Sequence, residues 1–205
     1  MEVLMRKDFY HASAILTGYF RRMKLAETDF TTLLLHPSKT AADREAQIRK
    51  LVFDQRSFDL LFHFVFHHQR ALAVRAVEAV EKISRTQPLL LSPHKNQLLS
   101  MLATGEHKEW KTQLVPLLPR LALSLSEQEI VWRQLVYWVL SPTEGKLMRI
   151  HALQALHTIA RIYPIFTRAF KEVAGRIFEL PMESLQLRLK SLLQKMPLDA
   201  DKEVE

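Results

Sequence analysis

The chain has 205 residues, 48% of them hydrophobic, which suits one compact domain or a short repeat array and excludes wholesale disorder. Only four glycines and no cysteine occur, so disulfides, cysteine-ligated metal centres and thiol nucleophiles are excluded. A formal charge of +7 raises the question of an acidic partner, whether nucleic acid, anionic membrane or acidic protein.

Leu, Ala, Arg, Lys, Gln and Glu dominate, the residues that lose least on entering a helix. An all-α protein is expected. The opening "MEVLMRKDFYHASAIL" carries charges where a signal peptide has its apolar region, and no run approaches the roughly 18 apolar residues of a membrane span. The expectation is a soluble, cytoplasmic protein without a membrane association.

Residues 1–55 read as an N-terminal cap, with helices at 5–23 and 40–54 joined by "DFTTLLLHPSKT", in which Pro37 and Ser38 end any regular structure. From residue 56 the chain repeats. "LAVRAVEAVEKI" from Leu72, "WKTQLVPLLPRL" from Trp110 and "MRIHALQALHTI" from Met148 follow at intervals of 38, and "LQLRLKSLLQKM" from Leu185 follows at 37. The columns Leu72/Trp110/Met148, Ala76/Leu114/Ala152, Ala79/Leu117/Ala155, Val80/Leu118/Leu156 and Ile83/Leu121/Ile159 form one face of a 3.6-residue helix, joined by Leu189, Leu192, Leu193 and Met196. This is the second helix of each unit.

Upstream, Leu60/Leu98/Val136/Val173, Leu61/Leu99/Tyr137/Ala174 and Phe64/Leu102/Leu140/Ile177 define a first helix. Four helical hairpins are therefore expected, at about 56–88, 89–125, 126–164 and 165–197, in one domain. The corners "HHQR", "TGEHK" and "PTEGK" lie within them, where Gly105 and Gly145 would permit a sharp reversal. Pro88, Ser126 and Pro164 separate the units. Pro116 and Pro119 fall inside the second unit's second helix and should break it. Residues 198–205 form an acidic tail, Asp199, Asp201, Glu203 and Glu205 standing against Lys202.

The second-helix pattern, an apolar residue, Arg149, then Ala152, Ala155, Leu156 and Ile159, resembles HEAT and armadillo-type repeats over residues 56–197. The resemblance implies a short α-solenoid, a right-handed α-α superhelix of stacked hairpins whose second helices line the concave side.

Three histidines stand in "LLFHFVFHHQR". His63 and His67, four apart, are the one weak candidate pair for a metal. A neighbouring glutamate is missing, so the metalloprotease motif fails. His63 shares a core column with Met101 and Val139, and His67 and His68 fall at a corner, so a packing residue beside two turn residues is the favoured reading. Trp110, Trp132 and Trp138 read as packing, with some aromatic surface near Tyr137 facing outward. No cofactor is implied.

The four second-helix segments, 70–86, 106–121, 145–161 and 182–196, hold thirteen basic residues against five acids. Arg70, Lys108 and Lys146 form an exposed column opposite the apolar stripe. With Lys111, Arg149 and Arg161 they are the candidate partner-binding residues. The expected function is a non-catalytic scaffold or protein-interaction module presenting this basic face to an acidic protein. The alternative is nucleic-acid binding through the same residues. HEAT-like DNA glycosylases rely on an aspartate on the concave face, and no aspartate occurs between Asp59 and Asp199. The sequence therefore leans away from an enzyme.

Overall fold

The computed structural model describes residues 28–36, 40–104 and 108–196, and every regular element among them is helical. Residues 28–35 belong to α1. There follow α2 (Ala41–Leu51), α3 (Gln55–His63), α4 (Arg70–Ser84), α5 (Lys95–Thr104), α6 (Lys108–Leu114), α7 (Leu125–Leu140), α8 (Lys146–Ile162), α9 (Thr167–Phe178) and α10 (Glu183–Leu193). Four 3-10 segments, Phe64–Phe66, Pro88–His94, Val115–Arg120 and Pro164–Phe166, extend or precede α-helices. Helical segments fall on both halves of each of the four expected intervals. The expected 5–23 helix and the acidic tail lie outside the described residues.

The chain divides into two compact units, Met1–Ile83 and Ser84–Glu205. The boundary falls at the end of the first hairpin.

In the first unit, Asp54 starts α3 by accepting from the Ser57 backbone N–H at 2.8 Å, while Ser57 Oγ accepts from the Asp54 N–H at 3.1 Å. This reciprocal cap satisfies two donors that a helix start leaves unpaired. Phe58, Leu61 and Phe62 then turn inward, and α4 buries Leu72, Ala76, Ala79, Val80 and Ile83. The stretch expected to be a plain linker contains α1, which buries Phe30 and Leu34. These two are four apart and so share one helical face. The Phe30 and Phe64 rings lie 6.3 Å apart, and Arg75 Nη1 donates to the Leu34 carbonyl.

In the second unit the prolines act as expected. Neither Pro116 nor Pro119 has an N–H to continue the α-helical ladder, and α6 gives way to the 3-10 segment Val115–Arg120. The register nevertheless holds, with Leu114, Leu117, Leu118 and Leu121 buried. Ser124 and Glu127 form another reciprocal cap at the start of α7. The segment Val115–Arg120 packs on α8, α8 packs on α10, and α7 packs on α9. In these three contacts a helix meets the corresponding helix of the neighbouring sequence interval. With neighbours on several sides, α8 buries Leu153 and Ala160 besides its apolar column.

Three expectations change. Gly145 is the N-cap of α8 at φ −63°, a conformation open to any residue, so the corner does not require glycine. Tyr137, in a first-helix column, is 60% exposed. His63 is exposed rather than a packing residue, because α3 turns Phe58, Leu61 and Phe62 inward and residue 63 falls off that helical face.

Candidate functional site

The six basic candidates separate into different roles. Arg149 is only 5% exposed and does not belong to a surface. Its Nε donates to the Val139 carbonyl at 2.7 Å, and its Nη2 is buried without a partner. Met148 beside it is a core residue, so the arginine is carried inward and back over the end of α7. There, carbonyls lack helical partners and the helix dipole favours a cation. Gln186, also one residue after the first apolar column, does the same for α9, donating Nε2 to the carbonyls of Phe178 at 3.0 Å and Leu180 at 2.8 Å.

Lys111 is engaged internally as well. Its Nζ lies 2.6 Å from Glu144 Oε1 and 4.4 Å from the centre of the Trp138 ring. The side chain of Lys108 lies outside the described residues. Lys146 is exposed at the first position of α8.

Arg161 is exposed in the last turn of α8, and buried His157 lies one turn before it. Burial holds the His157 imidazole below its ordinary value, with Arg161, Arg188 and Lys195 adding repulsion and a hydrogen bond to the Leu192 backbone opposing them. These three cations therefore each lie near enough to act on His157.

Arg70 is exposed and lines a hollow of about 610 Å³ with Arg44, Ala71, Val74, Arg75 and Glu78. Three arginines and one acid thus line it, the Arg75 guanidinium being held by the Leu34 carbonyl. The hollow runs between α2 and α4, which are joined nearby by Glu45. That carboxylate takes Lys82 Nζ at 3.0 Å and Arg49 Nη2 at 2.9 Å. Hydrogen bonds from Lys82 and then Arg49 hold Glu45 below the usual carboxylate range. Arg49 also donates Nη2 to the Lys82 carbonyl at 3.0 Å. The packed, ion-paired seam fixes the backbone that carries Arg44 and Arg70.

The histidine cluster is a turn. His67 Nδ1 accepts from the Gln69 N–H at 3.0 Å, and its ring stacks on His68 and Phe64 at 4.2 and 5.9 Å. Among the described residues, no three His, Asp or Glu side chains are placed to hold a metal ion. Trp132 and Trp138 are buried, Trp132 stacking on Phe166 at 4.7 Å. The side chain of Trp110 lies outside the described residues.

Two features were missed. Arg44 joins Arg70 only through tertiary packing, and nothing in its local pattern marks it. The column Arg75/Gln113/His151/Arg188, by contrast, was already present in the repeat alignment. Arg75 bonds the Leu34 carbonyl, and His151 Nδ1 donates to the Thr112 carbonyl at 2.7 Å. Arg188 donates Nη2 and Nε to the Gln154 side-chain oxygen at 2.7 and 2.9 Å. Each of these three residues reaches back to an earlier helix, so part of the basic excess holds helices together.

No protein-family model matches the chain, and comparison with curated proteins and with solved structures likewise finds no match.

Proposed function

We propose that the chain is a non-catalytic interaction module, a short HEAT-like superhelix of stacked hairpins that docks an acidic partner protein on its basic surface. The observation that carries this reading is the α2–α4 hollow, where Arg44 and Arg70 line a concavity whose one lining acid is Glu78, Arg75 beside them being tied to the Leu34 carbonyl. Arg149 is buried and Lys111 is paired with Glu144, whereas Arg70 is exposed and lines a concavity with Arg44. Planar guanidinium groups on a fixed frame suit carboxylates, which they can engage in pairs. Lys146 and Arg161, at opposite ends of α8, are further exposed basic residues in the other unit.

The test uses the full chain with immobilised polyglutamate and, separately, duplex DNA, each across a salt series. Arg44→Glu and Arg70→Glu should each weaken polyglutamate retention about tenfold at low salt, and added salt should erase the difference. Retention on DNA alone, falling steeply with salt and lost on the same substitutions, would replace this reading with nucleic-acid binding. Retention on polyglutamate that ignores both substitutions would move the contact away from the hollow.

A further inference from the structure

A second concavity lies in the Ser84–Glu205 unit, between α7 and α9, on the side formed by the first helices. Its volume is about 310 Å³. The gap follows from residue size: Val136, Ala169 and Val173 are short side chains where the two helices run side by side, and they leave an apolar floor beside Trp132. Ridges of one helix ordinarily fill the grooves of the next. Here the groove is open.

Charge frames it from both walls. Arg133 stands on α7 and Arg176 on α9, both exposed. The acid lining the groove, Glu172, is bridged by Arg168 at 3.4 Å. The apolar surface continues past the rim, because Ile130 and Tyr137 are 55% and 60% exposed. With Arg133 they stand at i, i+3 and i+7, on one face of α7.

We infer that this groove binds an acidic amphipathic helix of a partner protein, its apolar side chains on the Trp132–Val136–Ala169–Val173 floor and its carboxylates on Arg133 and Arg176. A purely anionic chain would satisfy the arginines and leave the floor wet. A purely apolar one would bury the two cations without partners, which is costly. Only a segment carrying both characters satisfies the whole groove, and a third helix laid along two others is a recurring mode of recognition. The site belongs to the second unit and does not depend on the α2–α4 hollow.

The probe is a labelled synthetic helical peptide with leucine along one face and glutamate on the other, titrated into the full chain by fluorescence anisotropy. Two control peptides replace the leucines by serine or the glutamates by glutamine. Binding of the parent peptide should fall about tenfold with Arg133→Glu and with Arg176→Glu. Ala169→Met, which fills the groove without changing charge, should weaken it similarly. Carboxylate binding at the α2–α4 hollow is shared by the serine peptide, so the excess affinity of the parent over the serine peptide should be unchanged by Arg70→Glu, which separates the two sites. Both control peptides should bind at least about tenfold more weakly than the parent. Thermal melts check that each variant is folded, and both arginines are exposed, so loss of fold is not expected. The inference is overturned if the parent peptide does not bind, if the serine peptide binds equally well, or if neither arginine substitution nor Ala169→Met alters binding by a folded protein.

Discussion

At Arg149, burial decides what a substitution would report. The guanidinium has one hydrogen bond, to the Val139 carbonyl, and a buried Nη2, so the desolvation cost of a charge is only partly offset. Arg149→Met should therefore change stability by no more than about 1 kcal/mol, loss of the carbonyl's partner being set against relief of a buried cation. Arg149→Glu should cost about 3 kcal/mol or more, because it places an anion beside helix-end carbonyls. Urea denaturation distinguishes the two, and equal losses would contradict this account. Charge reversal here would report unfolding rather than a lost contact. His157 gives the residue scale its pH dependence. Its folded-state value is depressed below 6.5, first by burial and then by Arg161, so the unfolded chain takes up the proton more readily. The stability it contributes is fully present above about 6.5 and is lost as pH falls through the lowered folded value. The slope should not exceed about 1.4 kcal/mol per pH unit, the limit for one proton. His157→Gln should flatten this part of the profile, and an unchanged slope in urea melts across that range would assign the dependence elsewhere.

Helices begin and end here for local reasons, and most of these are written in the sequence. Asp54 and Ser124 each precede a helix with a polar partner at the third position, and both close reciprocal caps. Ser124→Ala should cost about 1 kcal/mol. Pro116 and Pro119 marked the failure of α6 because a missing N–H is a property of the residue itself. Gly145 was misleading for the same kind of reason: glycine permits a left-handed turn, but permission is not use. At φ −63°, and with nothing within 4 Å of an added Cβ, the position is an uncapped N-cap. Gly145→Asp should raise stability by roughly 0.5 kcal/mol, by supplying a side-chain acceptor and favourable charge at the start of α8. A thermal melt that shifts downward would show that the corner needs glycine after all. His63 was misplaced because the 38-residue register aligns it with Val139, a buried position of α7, whereas α3 buries Phe58, Leu61 and Phe62, a face that leaves residue 63 outside.

Across the whole molecule, the apolar columns were legible because a buried face must recur at helical spacing whatever surrounds it. The polar contacts were less legible, since the same Arg or His reads as a solvated face until its partner layer is known. Arg44 and the α7–α9 groove show the limit: they exist only where two elements meet. His151 shows how the levels join. Pro116 cannot donate to the Thr112 carbonyl four residues before it, and His151, from the next repeat, donates to that carbonyl at 2.7 Å. A break in one helix is thus compensated by the helix packed on it. His151→Ala should cost about 1–3 kcal/mol by leaving that acceptor short of a donor. Pro116→Ala restores a backbone N–H at the position where the ladder failed, so the two substitutions should couple. In the Pro116→Ala background, His151→Ala should cost about 1 kcal/mol less than in the parent chain. Urea denaturation of the four proteins of this cycle measures the difference. Strict additivity would mean that His151 contributes by packing alone, and that the proline break and the repeat contact are unrelated.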